Sequence, residues 1–426
     1  MIALYGPAIL IALIILGLPI GFALGIAGVL SLSLIIPPAV ISAQMSQIVL
    51  QTTSHYVLLT IPMFVLMAEL LSAGGIAQDL MIACNRLLRR IRGGLAIACV
   101  LTGAILAAAS GSSTASVASI ARAAYPTMEK LGYDRSFSLG TISISGTLAI
   151  LIPPSVAFVV YGLMTEEPIG KLFIAGLVPG LLTTIGYLVT IAYMIRRNPK
   201  LVPDNTVTDT PTLAQTGRVW PVVLLITLVM VCLYGGIATP TEVGALGAVG
   251  AGIIGMALGR LGWDASVAAI GNTLRTSAMI VTIIFGASLF GFFISYTQIT
   301  NDLLTWIADS GMSRYAVLGL VVLIYLLLGM VMDQFAIIIL TVPISHALIT
   351  GLGFDGIWFG VIVVKTAEIG LVSPPLGLNV FIASAAAKVR PNYGFAGVMP
   401  FVVTEMIILA ILLAFPALVI FLPNIL

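Results

Sequence analysis

At 426 residues, of which 60% are hydrophobic and 8% charged, with a mean hydropathy of +1.18, the chain is excluded from the soluble domains, whose surfaces need far more charge. It reads as a polytopic membrane protein of formal net charge +2 with no basic patch large enough to suggest nucleic acid, so its Lys and Arg positions are topology signals. Three cysteines, Cys84, Cys99 and Cys232, are an odd number without metal-ligand spacing and are expected as small packing residues.

The chain opens with an apolar run from Ala3 to Pro37, lacking the basic region and cleavage site of a signal peptide, and this run is expected to stay as the first transmembrane helix. Runs long enough to cross about 30 Å of hydrocarbon occur near 4–36, 57–73, 136–163, 171–195, 219–236, 240–259, 277–296, 357–387 and 395–424, nine in all. Gln44 to Tyr56 and, more clearly, Asp264 to Thr276 have the spacing of helices lying in the interface; the second sets Val267, Ile270 and Leu274 against Asn272 and Arg275.

Two further apolar stretches do not fit single crossings. Over 94–126 the tip Ser110-Gly111-Ser112-Ser113-Thr114 separates two short apolar arms, and over 314–345 the tip Asp333-Gln334 does the same. Each pair of arms reads as a re-entrant helical hairpin. For the second, an ordinary crossing over 315–332 followed by a loop is the alternative.

The run over 136–163 carries Ser145-Gly146-Thr147 and then Pro153-Pro154, and adding 221 maps that proline pair onto Pro374-Pro375 in the run over 357–387. The same offset maps Asp134 onto Asp355 and Pro179 onto Pro400. The chain therefore divides into one repeat over 1–197, a polar linker and connecting helix over 198–238, and a second repeat over 239–426. Five crossings precede the second copy, an odd number, so it is expected upside down. With Met1 cytoplasmic and Leu426 outside, 15 of the 18 Lys and Arg residues fall in inner segments, while only Lys171 and Arg314 fall in outer ones and Lys365 lies within a membrane run.

A proline-interrupted segment leaves backbone carbonyls free at membrane depth, where they are tolerated only when they face protein, water or an ion, so two matched copies point to a transport site. A kink without function is the plainer alternative. The Ser110 to Thr114 tip offers backbone N–H groups at a helix start, which attract an anion, and hydroxyls and loose carbonyls, which suit a hard cation such as sodium. Asp333 is costly at depth unless ion-bound, paired or hydrated. Lys365 and Glu368, three residues apart on one helical face, can neutralise each other; Glu69 and Glu242 sit near segment ends, and Glu405 lies inside the last run with no evident partner. No catalytic motif emerges. Ser112 or Ser113 as a nucleophile would need His55 or His346, both expected on the outer side. The Gly-rich tract from Gly244 to Gly252 lacks a preceding strand and reads as close helix packing.

With these hairpins, broken segments and repeats, the chain resembles the large membrane subunit of the TRAP (tripartite ATP-independent periplasmic) transporters over essentially its whole length. The stretches that carry the resemblance are Ala109-Ser110-Gly111-Ser112-Ser113-Thr114-Ala115, Leu151-Ile152-Pro153-Pro154-Ser155, Thr241-Glu242-Val243-Gly244-Ala245 and Val372-Ser373-Pro374-Pro375-Leu376-Gly377-Leu378-Asn379. The resemblance implies an all-α, elevator-type ion-transporter fold and a sodium-driven importer of organic acid anions, such as C4-dicarboxylates or sialic acid, in the bacterial inner membrane. It implies no cofactor beyond sodium as coupling ion. A small four-helix membrane subunit and a periplasmic substrate-binding protein are the implied partners. Carried onto this sequence, the sodium and substrate region falls on Ser110, Gly111, Ser112, Ser113 and Thr114; on Ser145, Gly146 and Thr147 with Pro153 and Pro154; on Asp333 and Gln334; and on Thr366, Glu368, Gly370 and Ser373 with Pro374 and Pro375. A stand-alone sodium-coupled anion transporter of a related hairpin superfamily, needing no binding protein, is the alternative.

Overall fold

A computed structural model of the chain describes residues 2–88, 90–203 and 219–425, with side chains described except at 2–4, 108–110 and 308. Arg89, Arg218 and most of the expected polar linker lie outside these residues. Every regular element among the described residues is helical.

The first apolar run is not one crossing. Helix α1 (Ile2–Ile15) ends at a turn where Gly17 takes φ of 84°, and α2 (Ile20–Ser33) begins after Pro19. A positive φ is cheap only for glycine, and Pro19 has no N–H to carry a helix onward, so two helices of 14 residues replace the span expected over 4–36. Helices α3 (Pro38–Ser54), α4 (Thr60–Ala73) and α5 (Ile76–Leu88) follow. Next come α6 (Gly94–Ser110) and α7 (Ser113–Lys130), which pack against each other across the Gly111-Ser112 tip. Helix α7 runs through Pro126 rather than stopping there, so this arm is longer than the sequence suggests.

The first proline-interrupted run is three pieces, α8 (Arg135–Ser145), α9 (Leu148–Leu151) and α10 (Val156–Thr165), bent by 40° at the break. Both proline pairs, Pro153-Pro154 and Pro374-Pro375, are joined by cis peptide bonds. Then follow α11 (Ile169–Arg197), α12 (Trp220–Tyr234), α13 (Pro240–Ala257) and α14 (Trp263–Tyr296). The amphipathic stretch 264–276 is not a separate interfacial helix. No proline interrupts residues 263–296, and they form one helix of 34 residues, about 50 Å long.

Helices α15 (Ile299–Ser310), α16 (Arg314–Gly329) and α17 (Gln334–Gly351) lead into the second interrupted run, α18 (Gly356–Gly370) and α19 (Leu378–Ala387), and the chain closes with α20 (Pro391–Ala414) and α21 (Ala417–Ile425). Among the described residues six helices are long and apolar enough to cross a membrane, or seven with the bent run 135–165 taken as one. The nine crossings expected from hydropathy are thus too many by this measure. Turns at Gly17 and at Pro374-Pro375 divide the runs near 4–36 and 357–387 into helices of 10 to 15 residues, and the run near 219–236 is carried by one helix of 15 residues.

Packing sorts the helices into two groups. In a frame, α2 lies along α14, α4 lies along α13 and α14, and α1 and α12 flank them. Backbones meet at Gly21 and Gly286, where a Cβ on Gly286 would stand 2.0 Å from the Gly21 carbonyl oxygen. The Gly-rich tract packs likewise: Gly244 and Gly247 face Met63 and Met67 of α4. In a body, α6 to α11 interlock with α16 to α20. The contacts come in exchanged pairs, α8 on α20 and α18 on α11, α7 on α19 and α17 on α10, as α2 on α14 and α13 on α4 do in the frame. Frame and body meet where α4 touches α6 and α10, and where α14 touches α17.

Candidate functional site

The first tip is built by glycine and serine in distinct roles. Gly111 turns the chain at φ of 54°, and the Ser112 hydroxyl accepts the Ala115 N–H at 3.5 Å, capping α7. Gly111 lies so close to the break of the first interrupted run that an added Cβ would sit 3.3 Å from the Pro154 carbonyl oxygen. Just above, Gly103 abuts the Ser145 carbonyl and Gly146 abuts the Ser113 carbonyl and Val117. The α6–α7 pair and the broken run α8 to α10 therefore touch backbone to backbone. The Ser110 side chain lies outside the described residues, and Thr114 stands 3.2 Å from the Ser112 oxygen.

Among the described residues a side-chain hydrogen bond joins this tip to α19. Asn379, at the start of α19, donates from Nδ2 to Ser113 Oγ at 2.6 Å, both side chains being buried. Asn379 Oδ1 is buried without a hydrogen-bond partner. Its own N–H donates to the Leu371 carbonyl at 3.0 Å, and the Ser373 N–H donates to the Gly370 carbonyl at 3.1 Å. Those are the two carbonyls that Pro374 and Pro375 cannot serve, so in the second broken run the backbone re-satisfies them rather than leaving them loose.

Asp333 has a local partner that the sequence reading did not foresee. It is the N-cap of α17, its Oδ1 accepting the Phe335 N–H at 2.8 Å and the Ala336 N–H at 3.4 Å. Gln334 is buried with Oε1 unpartnered. The second tip presses on its own broken helix as the first does: Gly329 and Gly370 meet at the backbone, and the Leu376 N–H donates to the Met330 carbonyl at 3.3 Å. The expected Ser145, Thr366 and Ser373 hydroxyls are each turned back onto a carbonyl of their own helix, at 2.6 to 2.9 Å.

The two tips do not share one cavity. The first, with Gly111, Ser112 and Ser116, borders a cavity of about 60 Å³ closed on the frame side by Glu69 and Thr276, and Phe335 is the second hairpin's contribution. The second tip borders a separate space of about 230 Å³ formed by residues 329–333, 376–378 and Phe381. Among the described residues, the hydrogen bond from Asn379 to Ser113 and the Phe335 side chain connect the two regions.

A buried charged cluster lies beside the breaks. Lys365 Nζ donates to Thr183 Oγ1 at 2.8 Å and to Glu368 Oε2 at 3.1 Å, and it pairs closely with Glu405 Oε2. Tyr187 donates to Glu405 Oε1 and stands 3.0 Å from Thr147 Oγ1. Lys365, Glu368, Glu405, Tyr187 and Thr147 are all fully buried. The pairing of Lys365 with Glu368 was legible at three residues' spacing, whereas Glu405, Tyr187 and Thr183 come from helices far off in sequence. Only the cost of an acid in an apolar run marked Glu405 beforehand. Elsewhere Glu242 is the second half of a capping box with Thr239, and Glu69 accepts from Asn272 Nδ2 at 3.1 Å.

Residues 8–418 match the family model described as the DctM component of the tripartite ATP-independent periplasmic transporter. The chain is 36% identical over 405 residues to the C4-dicarboxylate TRAP transporter large permease protein DctM of Pseudomonas aeruginosa, covering 94% of this chain and 93% of that one. It is 30% identical to the isethionate TRAP transporter permease protein DctMQ of Oleidesulfovibrio alaskensis, covering 96% of this chain and 64% of the relative. Identity to the ectoine/5-hydroxyectoine TRAP transporter large permease protein UehC of Ruegeria pomeroyi is 29%, over 86% of each chain. In fold it is similar to the YdaH transporter of Alcanivorax borkumensis, with a TM-score of 0.67 over 90% of each chain at 14% identity. On the family match and the identity to DctM relatives, the chain belongs to the family of large membrane permease subunits of the tripartite ATP-independent periplasmic transporters.

Proposed function

We propose that this permease imports organic acid anions by coupling them to sodium, taking substrate from a periplasmic binding protein and working beside a small membrane subunit. The observation that carries the reading is the contact of each hairpin tip with a proline-broken helix, joined across the repeats by Asn379 and Ser113. Buried hydroxyls and broken-helix backbone are the uncharged oxygen ligands that a hard cation takes. C4-dicarboxylates, the substrate named for the Pseudomonas relative, head the panel to be tested; a fused DctMQ relative supports a companion membrane subunit.

The exchanged helix contacts support two copies of one unit related by inversion, and the 15 of 18 Lys and Arg residues in the expected inner segments support an orientation with Met1 cytoplasmic and Leu426 periplasmic. In that arrangement the body carries the site past the frame as an elevator, because the interlocked hairpins and broken helices keep their backbone hydrogen bonds as they travel. Uptake of an organic-acid panel into proteoliposomes, with and without the cognate binding protein, is the test. Uptake should require both the binding protein and an inward sodium gradient. Uptake that persists after the sodium gradient is collapsed contradicts the coupling, and full uptake without the binding protein favours a stand-alone transporter.

A further inference from the structure

We infer that Arg260 and Asp79 form a clasp that ties a connecting helix, α5, to the frame in the arrangement seen here, and that has to open for the body to travel. The inference rests on the elevator reading above and deepens it. Two helices belong to neither group: α5 leaves the frame helix α4 and packs on α6 and α7 of the body, and α15 leaves α14 and packs on α17. The turns that start them match across the repeats at an offset of 223, with Gly75 at φ of 70° and Gln298 at φ of 56°. Each stands between a frame helix and a strut, where a few backbone angles can absorb a rotation.

The two struts are held differently. Arg260 lies in the turn between α13 and α14, and its guanidinium grips Asp79 with both prongs, Nη1 to Oδ2 at 2.6 Å and Nη2 to Oδ1 at 3.0 Å, while Nη1 also donates to the Gly74 carbonyl at 3.2 Å. The Asp79 side chain is 7% exposed and that of Arg260 25%. A two-pronged ionic hydrogen bond of this kind is strong and tolerates little displacement. The matched Asp302 is exposed, and the turn after α2 that corresponds to the Arg260 turn, residues 34–37, carries no charged side chain. One strut is clasped at this position and the other is not. Asp79 lies one helical turn beyond Gly75, about 6 Å, so a swing of α5 by roughly 30° would carry it about 3 Å, past the hydrogen-bond reach of Arg260. A strut packed on the body cannot follow it across the frame with that bond intact.

The test reads the clasp through the boundary beside it, in proteoliposomes carrying the full transport system. Ser72→Cys on α4 and Ser119→Cys on α7, whose hydroxyl oxygens stand 3.5 Å apart, are combined in a protein with Cys84, Cys99 and Cys232 replaced by Ala, so that the rate of oxidative linking follows the population of this arrangement. In whichever condition links more slowly, sodium-free or substrate-loaded, this arrangement is the less populated one. There Arg260→Gln should slow linking about tenfold, the loss of a charged hydrogen bond being of that order in an equilibrium. Asp79→Asn should act in the same direction, and the two together should do no more than Arg260→Gln alone. Arg260→Lys, which keeps the charge and loses the fork, should recover part of the rate, and Asp302→Asn should leave it unchanged. Asp79→Asn keeps the shape of the side chain and tests the clasp even where Arg260→Gln fails to fold. Unaltered linking in both single variants, with or without a lower melting temperature, would overturn the clasp while linking that still differs between the two conditions leaves the elevator standing. Complete linking in every condition with undiminished uptake would instead overturn the elevator beneath it.

Discussion

Single buried polar contacts decide how this permease holds its tips. The bond from Asn379 to Ser113 joins the two repeats at 2.6 Å with both groups out of water. Asn379→Ala leaves the Ser113 hydroxyl unpaired and should cost about 1–3 kcal/mol of stability, read as a lower melting temperature, together with a steep fall in uptake. Ser113→Ala should cost no more when Asn379→Ala is already present; independent, additive losses would show that the bond does not couple the repeats. Sequence made Ser113 legible through its polar tip. Asn379 stood in a recognisable stretch, but nothing local said which distant hydroxyl it meets. Glu405 was visible only as an acid without a partner, since Tyr187 and Lys365 reach it from other helices.

Helix ends and breaks carry the next level. Asp333 caps α17 through two backbone N–H groups, so Asp333→Asn, which can cap equally well, should keep stability within about 0.5 kcal/mol, whereas Asp333→Ala should lose about 1 kcal/mol. If Asn at this position preserves both stability and sodium dependence, the acid is a cap alone; loss of sodium dependence with stability intact assigns it to the ion. Replacing Pro153 and Pro154 together by Ala should weaken sodium affinity more than it lowers expression, because a restored helix recaptures carbonyls at the break. An unchanged sodium half-saturation in that double variant would make the break purely structural. The proline pairs and polar tips were legible because they are short and chemically abrupt. The turn at Gly17 was not, since hydropathy is blind to one glycine in an apolar run, and the join of 264–276 to 277–296 escaped because a change of amphipathic character is not a helix breaker.

At the scale of the whole molecule, composition placed the chain in the membrane and the 221-residue offset aligned its two proline pairs, while the division into frame and body appears only in the packing. That division underlies the central claim that the body moves against the frame. Ser72 on α4 and Ser119 on α7 face each other across the boundary, their hydroxyl oxygens 3.5 Å apart, within the reach of a disulfide. In a background with Cys84, Cys99 and Cys232 replaced by Ala, the pair Ser72→Cys and Ser119→Cys is the direct measurement. An elevator predicts that oxidation links the two positions, that the extent of linking changes between sodium-free and substrate-loaded conditions, and that linked protein does not transport until it is reduced. Complete linking in every condition with undiminished uptake would contradict a moving body and require transport around a site that stays in place.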